Sequence, residues 1–191
     1  MYKFFAFLNR MKYIKRWSLM RSIREENIME HSHAVAIIAH ALALINNHLG
    51  EKAADVNKTV LLAQYHEVGE VITGDLPTPI KYFNPEIKTA YKDLEYGACN
   101  KLLNMLPEEL KEEYKQYILP DETCYEYRLV KYADRIAAFL KCVEEVKAGN
   151  AEFKKAKKSI GEELKNTENA AVAYYLKNFA TAYELTLDEL D

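Results

Sequence analysis

The stretch from Asn27 to Gly50, NIMEHSHAVAIIAHALALINNHLG, sets the fold class. Its apolar positions Ala34, Ile37, Ile38, Ala41, Leu42 and Ile45 recur at three- and four-residue spacing, the period of one helix face. Asn27 to His31 reads as the start of that helix, and Asn46-Asn47 with Gly50 reads as its end. The same spacing recurs along nearly the whole chain, with no sustained period-two alternation. An all-α fold, a compact helical bundle, is therefore expected.

Working outward, residues 2–15 read as a first helix. A third begins after Asp55 or Asn57, carries Val60, Leu61, Leu62, His66, Glu67 and Glu70, and stops near Gly74. The run Asp75-Leu76-Pro77-Thr78-Pro79 cannot continue it, because proline lacks an N–H and pushes its predecessor out of the α region. Pro85 fits the start of a fourth helix reaching about Met105, and Pro107 opens a short acidic one. A long helix spans about Cys124 to Ala148 before the stop at Gly149-Asn150, and two more follow over 151–165 and 168–185. No internal repeat or long linker is found, so residues 1–191 are expected to form a single domain.

Composition narrows the function classes. With 6 glycines and 5 prolines in 191 residues, turns are too few for an all-β fold. Hydrophobic residues at 49% and charged residues at 29% exclude disorder, collagen-like repeats and a membrane-protein composition. Cys99, Cys124 and Cys142 are odd in number and widely spaced, which supports neither a disulfide framework nor a thiolate zinc site and points to a reducing cytoplasm. Phe4 to Leu8 is too short for a secretion signal, and Ala34 to Ile45 falls short of the ~20 residues that span a bilayer. No membrane partner is expected.

Net charge is −3, yet Lys3, Arg10, Lys12, Lys15, Arg16, Arg21 and Arg24 all precede the first acid, Glu25. A basic segment on an acidic body suits a small anionic ligand better than a nucleic acid polymer, which calls for a basic face over the whole domain. Among the five histidines, His66 stands beside Glu67 and one turn before Glu70, so a helix there offers an imidazole and two carboxylates together. A metal bound by them needs ligands from other helices. His31 and Asp134 are the candidates, the latter because a carboxylate within the apolar face Val130, Ala133, Ala137 needs a partner. The residues alone leave alternatives open: His31 as a helix-start residue, Asp134 paired with Arg135 or Lys131, and His66-Glu67 as a surface pair.

Order and spacing add to this. A histidine, then about 35 residues later a histidine with a carboxylate, then about 67 residues on an aspartate inside a helix, is a layout that resembles the HD-domain phosphohydrolases. The likeness extends to Arg16-Trp17, Arg24-x-Glu26-Asn27-x-x-Glu30-His31-Ser32, Tyr65-His66-Glu67-x-x-Glu70-Val71, Thr73-Gly74-Asp75-Leu76-Pro77-Thr78-Pro79-x-Lys81-Tyr82-Phe83, Lys131-x-Ala133-Asp134 and the closing Tyr183 to Glu189. In these segments the chain resembles the bacterial YfbR-type 5'-deoxynucleotidases. Such enzymes are all-helical, usually homodimeric, and use one divalent ion to hydrolyse deoxyribonucleoside 5'-monophosphates to deoxynucleoside and phosphate.

The resemblance implies that His31, His66, Glu67 and Asp134 hold the metal, which an oxygen and nitrogen ligand set suits to Mn, Co or a similar first-row ion. It implies that Arg16 orients the phosphate and that Glu70 handles the proton. Trp17 and the Asp75-Leu76-Pro77-Thr78 loop would line the nucleoside site, with His31 and Asp134 also facing substrate. The sequence departs from the pattern at position 67, where glutamate replaces the eponymous aspartate on a stem longer by roughly 1.3 Å. Two further readings stand: a catalytically weakened nucleotide-binding module, and another phosphohydrolase of the superfamily acting on cyclic or polyphosphorylated nucleotides. Tyr174, Tyr175 and Tyr183 offer either a dimer interface or ordinary helix packing.

Overall fold

A computed structural model describes residues 1–50, 52–81 and 83–191; Tyr82, part of the proline-rich motif, lies outside them. The helices are α1 (Phe4–Leu8), α2 (Ile28–His48), α3 (Val56–Tyr65), α4 (Glu70–Thr73), α5 (Thr78–Lys81), α6 (Pro85–Leu103), α7 (Glu108–Ile118), α8 (Tyr125–Lys147), α9 (Lys154–Lys165) and α10 (Ala170–Asn178). Short 3-10 turns cover Asn9–Tyr13, Ala151–Phe153, Ala180–Glu184 and Leu187–Glu189. No strand is present among the described residues. The extended pairing they contain is one antiparallel bridge, Lys15 with Asn27.

The caps explain the boundaries. The Asn27 side chain accepts from the Met29 and Glu30 N–H groups, both at 3.0 Å, and Glu30 reaches back to Asn27 in a capping box. Asp55 caps α3 by accepting from Lys58 N–H at 3.0 Å, which settles the choice between Asp55 and Asn57. Asn84 caps α6, with Pro85 in its first turn.

Three departures from the sequence reading have local causes. The N-terminal helix ends at Leu8 and tightens into the 3-10 turn, because Phe4 and Met11 must both enter a small core with Ile28, Val68 and Leu102. The third helix stops at Tyr65 instead of reaching Gly74. His66 Nδ1 lies 2.7 Å from Ala63 O and donates to it, occupying the carbonyl that a continuing helix would offer to Glu67 N–H. Finally, α5 begins at Thr78 despite its neighbouring prolines, which stand before and within the first turn, where missing N–H groups leave no bond unmade. Gly69 stands at the junction between the His66 turn and α4. It heads α4, where a Cβ would stand 3.1 Å from Cys99 Sγ of α6, so a larger residue there requires that side chain to give by a few tenths of an ångström.

The main core lies between α2, α3, α8, α9 and α10, around Val35, Leu42, Leu62, Ile136, Phe153 and Val172. Small residues at the contacts, Ala39 on α2 and Ala133 and Ala137 on α8, let the helices approach closely. By length and composition α2 could cross a membrane, contrary to the shorter Ala34–Ile45 segment read from sequence, yet half of its most apolar window is buried inside the fold. Tyr175 also belongs to this core, whereas Tyr174 and Tyr183 are exposed.

One buried polar clasp ties the N-terminal segment to α8. Glu145 accepts from the backbone N–H groups of Ile23 (2.9 Å) and Arg24 (3.2 Å), from Lys141 Nζ (2.6 Å) and from Asn150 Nδ2 (2.8 Å). Asn150 donates in turn to Arg21 O at 2.7 Å. Burial alone would raise the Glu145 carboxyl, but these donors hold it down at about 2. Glu145→Ala is expected to cost about 3–5 kcal/mol at pH 7, the range for breaking a buried pair. Because the folded value lies below the ordinary 4.5, the wild-type advantage is complete above 4.5 and lost as pH falls from there toward 2. Urea midpoints of both proteins at pH 7 and pH 3 check this; a gap of equal size at both would refute it.

Candidate active site

The side chains singled out from sequence converge at one end of the bundle. His31 stands in the first turn of α2, His66 and Glu67 in the turn after α3, Glu70 at the start of α4 and Asp134 in the middle of α8. One ligand atom from each of His31, His66, Glu67 and Asp134 can be chosen so that all four lie within 4.8 Å of one another. His31 Nε2 is 2.9 Å from Asp134 Oδ1 and 3.6 Å from Glu67 Oε1, and Glu67 Oε1 is 3.7 Å from His66 Nε2. The longer stem of Glu67 thus leaves its carboxylate inside the cluster. Asp134 does not pair with Arg135, which binds Glu163, nor with Lys131, whose Nζ stands 5.2 Å above the Tyr127 ring.

The donor set fits a cation. His66 Nε2 and Glu67 Oε2 are buried without a hydrogen-bond partner, an arrangement that costs free energy unless something outside the chain satisfies them. With its Nδ1–H committed to Ala63 O, His66 turns a lone pair on Nε2 toward the cluster, and burial lowers its pKa and keeps the ring neutral. Burial opposes ionisation of Asp134, but the hydrogen bond from His31 and the charge of Arg16 hold its carboxyl well below the usual range. Two nitrogens and two carboxylate oxygens suit a first-row divalent ion.

Around this cluster lies a strap of residues 14–17. Its register with residues 26–28 is fixed by Arg16 N–H to Glu26 O (2.9 Å) and Ile28 N–H to Ile14 O (3.0 Å). Arg16 Nη1 is 3.0 Å from Glu26 Oε2 and 2.6 Å from His31 Nδ1, while Nη2 is 3.9 Å from Glu67 Oε1. A guanidinium only donates, so His31 Nδ1 accepts and its Nε2–H donates to Asp134, and a cation held by Nε2 would take the place of that proton. Arg16 Nε is buried with no partner, a donor still available to an anion. Burial works against the charge on Arg16, but Glu67, Glu26, Asp134 and Asp75 raise its pKa further above the ordinary value.

Trp17, next along the strap, has φ of 59°, the left-handed region that bulky residues adopt at a cost of about 1–2 kcal/mol. Its ring packs on Phe153 at 5.3 Å and its indole N–H donates to Glu26 Oε2 at 3.2 Å. The loop Asp75-Leu76-Pro77 faces the same region: the Trp17 backbone N–H donates to Asp75, whose carboxyl is nonetheless raised by burial. Thr78 is exposed at the loop's end. Lys81 belongs to the scaffold, pairing with Glu95 on α6 at 3.1 Å. Sequence reasoning gave no role to Glu26; its signal was an acid immediately before the cap of the helix that carries His31.

The comparisons with known proteins agree with this geometry. A family model described as YfbR-like 5'-deoxynucleotidase matches residues 3–183. The chain belongs to the YfbR-like 5'-deoxynucleotidase family. A 5'-deoxynucleotidase of Vibrio cholerae is 50% identical over 98% of this chain and 97% of its own, and one of Pectobacterium atrosepticum is 46% identical over 98% and 94%. Among solved structures, an HD-domain phosphohydrolase of Listeria innocua superposes with a TM-score of 0.82 at 20% identity, covering 95% of this chain and 88% of that one. A cyanophage S-2L HD phosphohydrolase bound to dA and one catalytic Zn2+ ion superposes at 0.66 and 19% identity, over 92% and 95%. The all-α fold of this YfbR-like chain is therefore that of the HD phosphohydrolases.

Glu70 is the remaining acid of the site. It is 8% exposed, its Oε2 has no partner, and burial together with Glu67 and Asp75 pushes its carboxyl up to about 9 against the pull of Arg16 and Lys81. A carboxyl raised above its ordinary 4.5 binds its proton more tightly when folded, so its contribution is complete below 4.5 and lost as pH rises toward 9. Metal-stripped Glu70→Gln should therefore melt higher than metal-stripped wild type at pH 8, by at least the roughly 2–4 °C that 1 kcal/mol gives in a chain of this size. The two should converge at pH 5. Melting curves at both values check this, and a gap independent of pH would mean that Glu70 titrates normally.

Proposed function

We infer that this chain is a metal-dependent 5'-deoxynucleotidase that hydrolyses deoxyribonucleoside 5'-monophosphates to deoxynucleoside and phosphate. The observation that carries the reading is a buried guanidinium, Arg16, with an unpartnered N–H, set against four converging metal-ligand side chains. Family membership over residues 3–183 names the substrate class.

In this reading His31, His66, Glu67 and Asp134 hold the ion, with Mn, Co or a similar first-row metal proposed as the native one. When bound, the ion polarises a phosphoryl oxygen and lowers the pKa of an associated water. Arg16 offers its free donors to the phosphate and orients it for attack. Glu70, whose carboxyl is raised by burial, Glu67 and Asp75, handles the proton and passes it to the departing 5' oxygen of the nucleoside as general acid. Trp17 and the Asp75, Leu76, Pro77 and Thr78 loop line the nucleoside side, where the Asp75 carboxyl can accept from a sugar hydroxyl. We further propose that residues 1–191 act as one domain in the cytoplasm, supported by three free cysteines, and as a homodimer, for which the exposed Tyr174, Phe179 and Tyr183 offer apolar surface.

Phosphate release from dAMP, dTMP and AMP by metal-stripped protein, resupplied separately with Mn, Co, Zn and Mg, tests the reading. Metal-dependent release from the deoxynucleotides is expected, falling about 10²–10⁴-fold in Glu70→Ala and about 10²–10³-fold in Arg16→Ala. Glu67→Asp should be slower than wild type, because it withdraws the carboxylate by roughly 1.3 Å from two imidazoles that the glutamate already reaches. Silence with every metal would overturn the function, and activity gained only in Glu67→Asp would favour a weakened nucleotide-binding module.

A further inference from the structure

We propose that Glu26 is a positioning residue of the site, a single carboxylate that sets Arg16 and Trp17 directly and the ring of His31 through Arg16. The inference rests on the deoxynucleotidase reading for its kinetic consequences, but its geometry stands apart from it.

The backbone places Glu26 first. Lys15 and Asn27 form an antiparallel bridge, so Arg16 and Glu26 are directly opposite one another, and Asn27 then caps the helix whose first turn carries His31. The side chain of Glu26 is therefore held between the strap and the helix start by main-chain bonds it does not itself make. Its Oε2 receives two donors at once, Arg16 Nη1 at 3.0 Å and Trp17 Nε1 at 3.2 Å. Its Oε1 stands 4.0 Å from His31 Nδ1, too far for a hydrogen bond, and that nitrogen accepts from Arg16 Nη1 at 2.6 Å, so Glu26 reaches the His31 ring through Arg16.

That last contact lies on the side of the imidazole opposite the four-donor cluster, which His31 faces through Nε2. Glu26 is thus outside the ligand set, on the ring edge that its members do not use. Outer partners that fix the ring of a ligating histidine typically matter 10- to 100-fold in metal affinity, and Glu26 is such a partner of His31 through the Arg16 guanidinium that hydrogen-bonds its Nδ1. The same carboxylate is the partner of the Arg16 guanidinium, and a planar fork is directional: loss of one anchor lets its free donors rotate away from a phosphate. Trp17 adds a separate reporter. It is the one tryptophan in the sequence, held in a left-handed conformation with its indole N–H on Glu26.

Glu26→Gln and Glu26→Ala in the full chain provide the test. Glutamine keeps the shape and one acceptor oxygen while removing the charge, so a loss of folding in the alanine variant does not end the experiment. Three readouts are taken: Trp17 emission and its quenching by acrylamide, the Kd for Mn and for Zn by calorimetry on metal-stripped protein, and KM and kcat for dAMP and dTMP. The expected result is a shifted Trp17 emission with faster quenching in both variants and metal binding weakened about 10- to 100-fold in Glu26→Ala. KM should rise and kcat fall together in both, with Glu26→Gln milder in each readout. A Glu26→Gln protein of native helicity with wild-type emission, metal affinity and kinetics overturns the proposal. Wild type that releases no phosphate from any deoxynucleotide would instead refute the functional reading, and the emission and metal titrations would still decide the role of Glu26.

Discussion

An excess of negative charge in a nearly dry space governs this site. Around the buried Arg16 guanidinium stand Glu67, Glu26, Asp134 and Asp75, and Glu70 lies close enough for Glu67 and Asp75 to disfavour its ionisation. Charges removed from water must be paired or neutralised. One arginine does not suffice. The chain answers in two ways: Asp134 gains the His31 hydrogen bond and stays ionised, while Glu70 keeps its proton. The unpartnered His66 Nε2 and Glu67 Oε2 mark where a further positive charge from outside the chain would complete the balance. A dication at that point would neutralise the charges that oppose ionisation of Glu70, so metal binding and the acid–base character of Glu70 are coupled through the same field.

The fold serves this balance by bringing together residues far apart in sequence. His31 and Asp134 are 103 positions apart and meet at 2.9 Å because α2 and α8 pack through small residues at their contact. The backbone strain sits in the strap. A tryptophan at positive φ is unfavourable by itself, and it persists because Phe153, Glu26 and Asp75 each hold a different part of Trp17.

Much of the architecture was legible because helix periodicity and caps are local signals. The apolar spacing along Asn27 to Gly50 gave α2, and the Asp55 or Asn57 cap gave the start of α3, since both signals depend on residues within one turn. The cluster of His31, His66, Glu67 and Asp134 was readable as residue types but reached its assignment only through resemblance, because nothing in spacing alone brings α2, α3 and α8 to one point. The break at His66 was not legible. It arises when a side chain takes a backbone carbonyl, a competition that the periodic pattern does not register. Lys141 and Glu145 were equally silent, since an i, i+4 pair reads as a solvated helix face until the chain places a loop over it.

That pair shows how far the site's support extends. Asp134, Lys141 and Glu145 are spaced seven and four residues apart and so lie on one face of α8. The N-terminal half of that face presents a carboxylate to the cluster of His31, His66 and Glu67, and the C-terminal half receives the backbone of Ile23 and Arg24 through Glu145 and Lys141. Two residues beyond Arg24 comes Glu26, which in turn holds Arg16 and Trp17. The strap is therefore referenced to the same rigid helix as Asp134, at both the cluster and the clasp. A helix of 23 residues buried along its length is stiff enough to act as a common ruler for both. Displacing residues 21–24, and with them the start of the segment that carries Glu26, breaks the buried Lys141–Glu145 pair and its bonds to the Ile23 and Arg24 backbone.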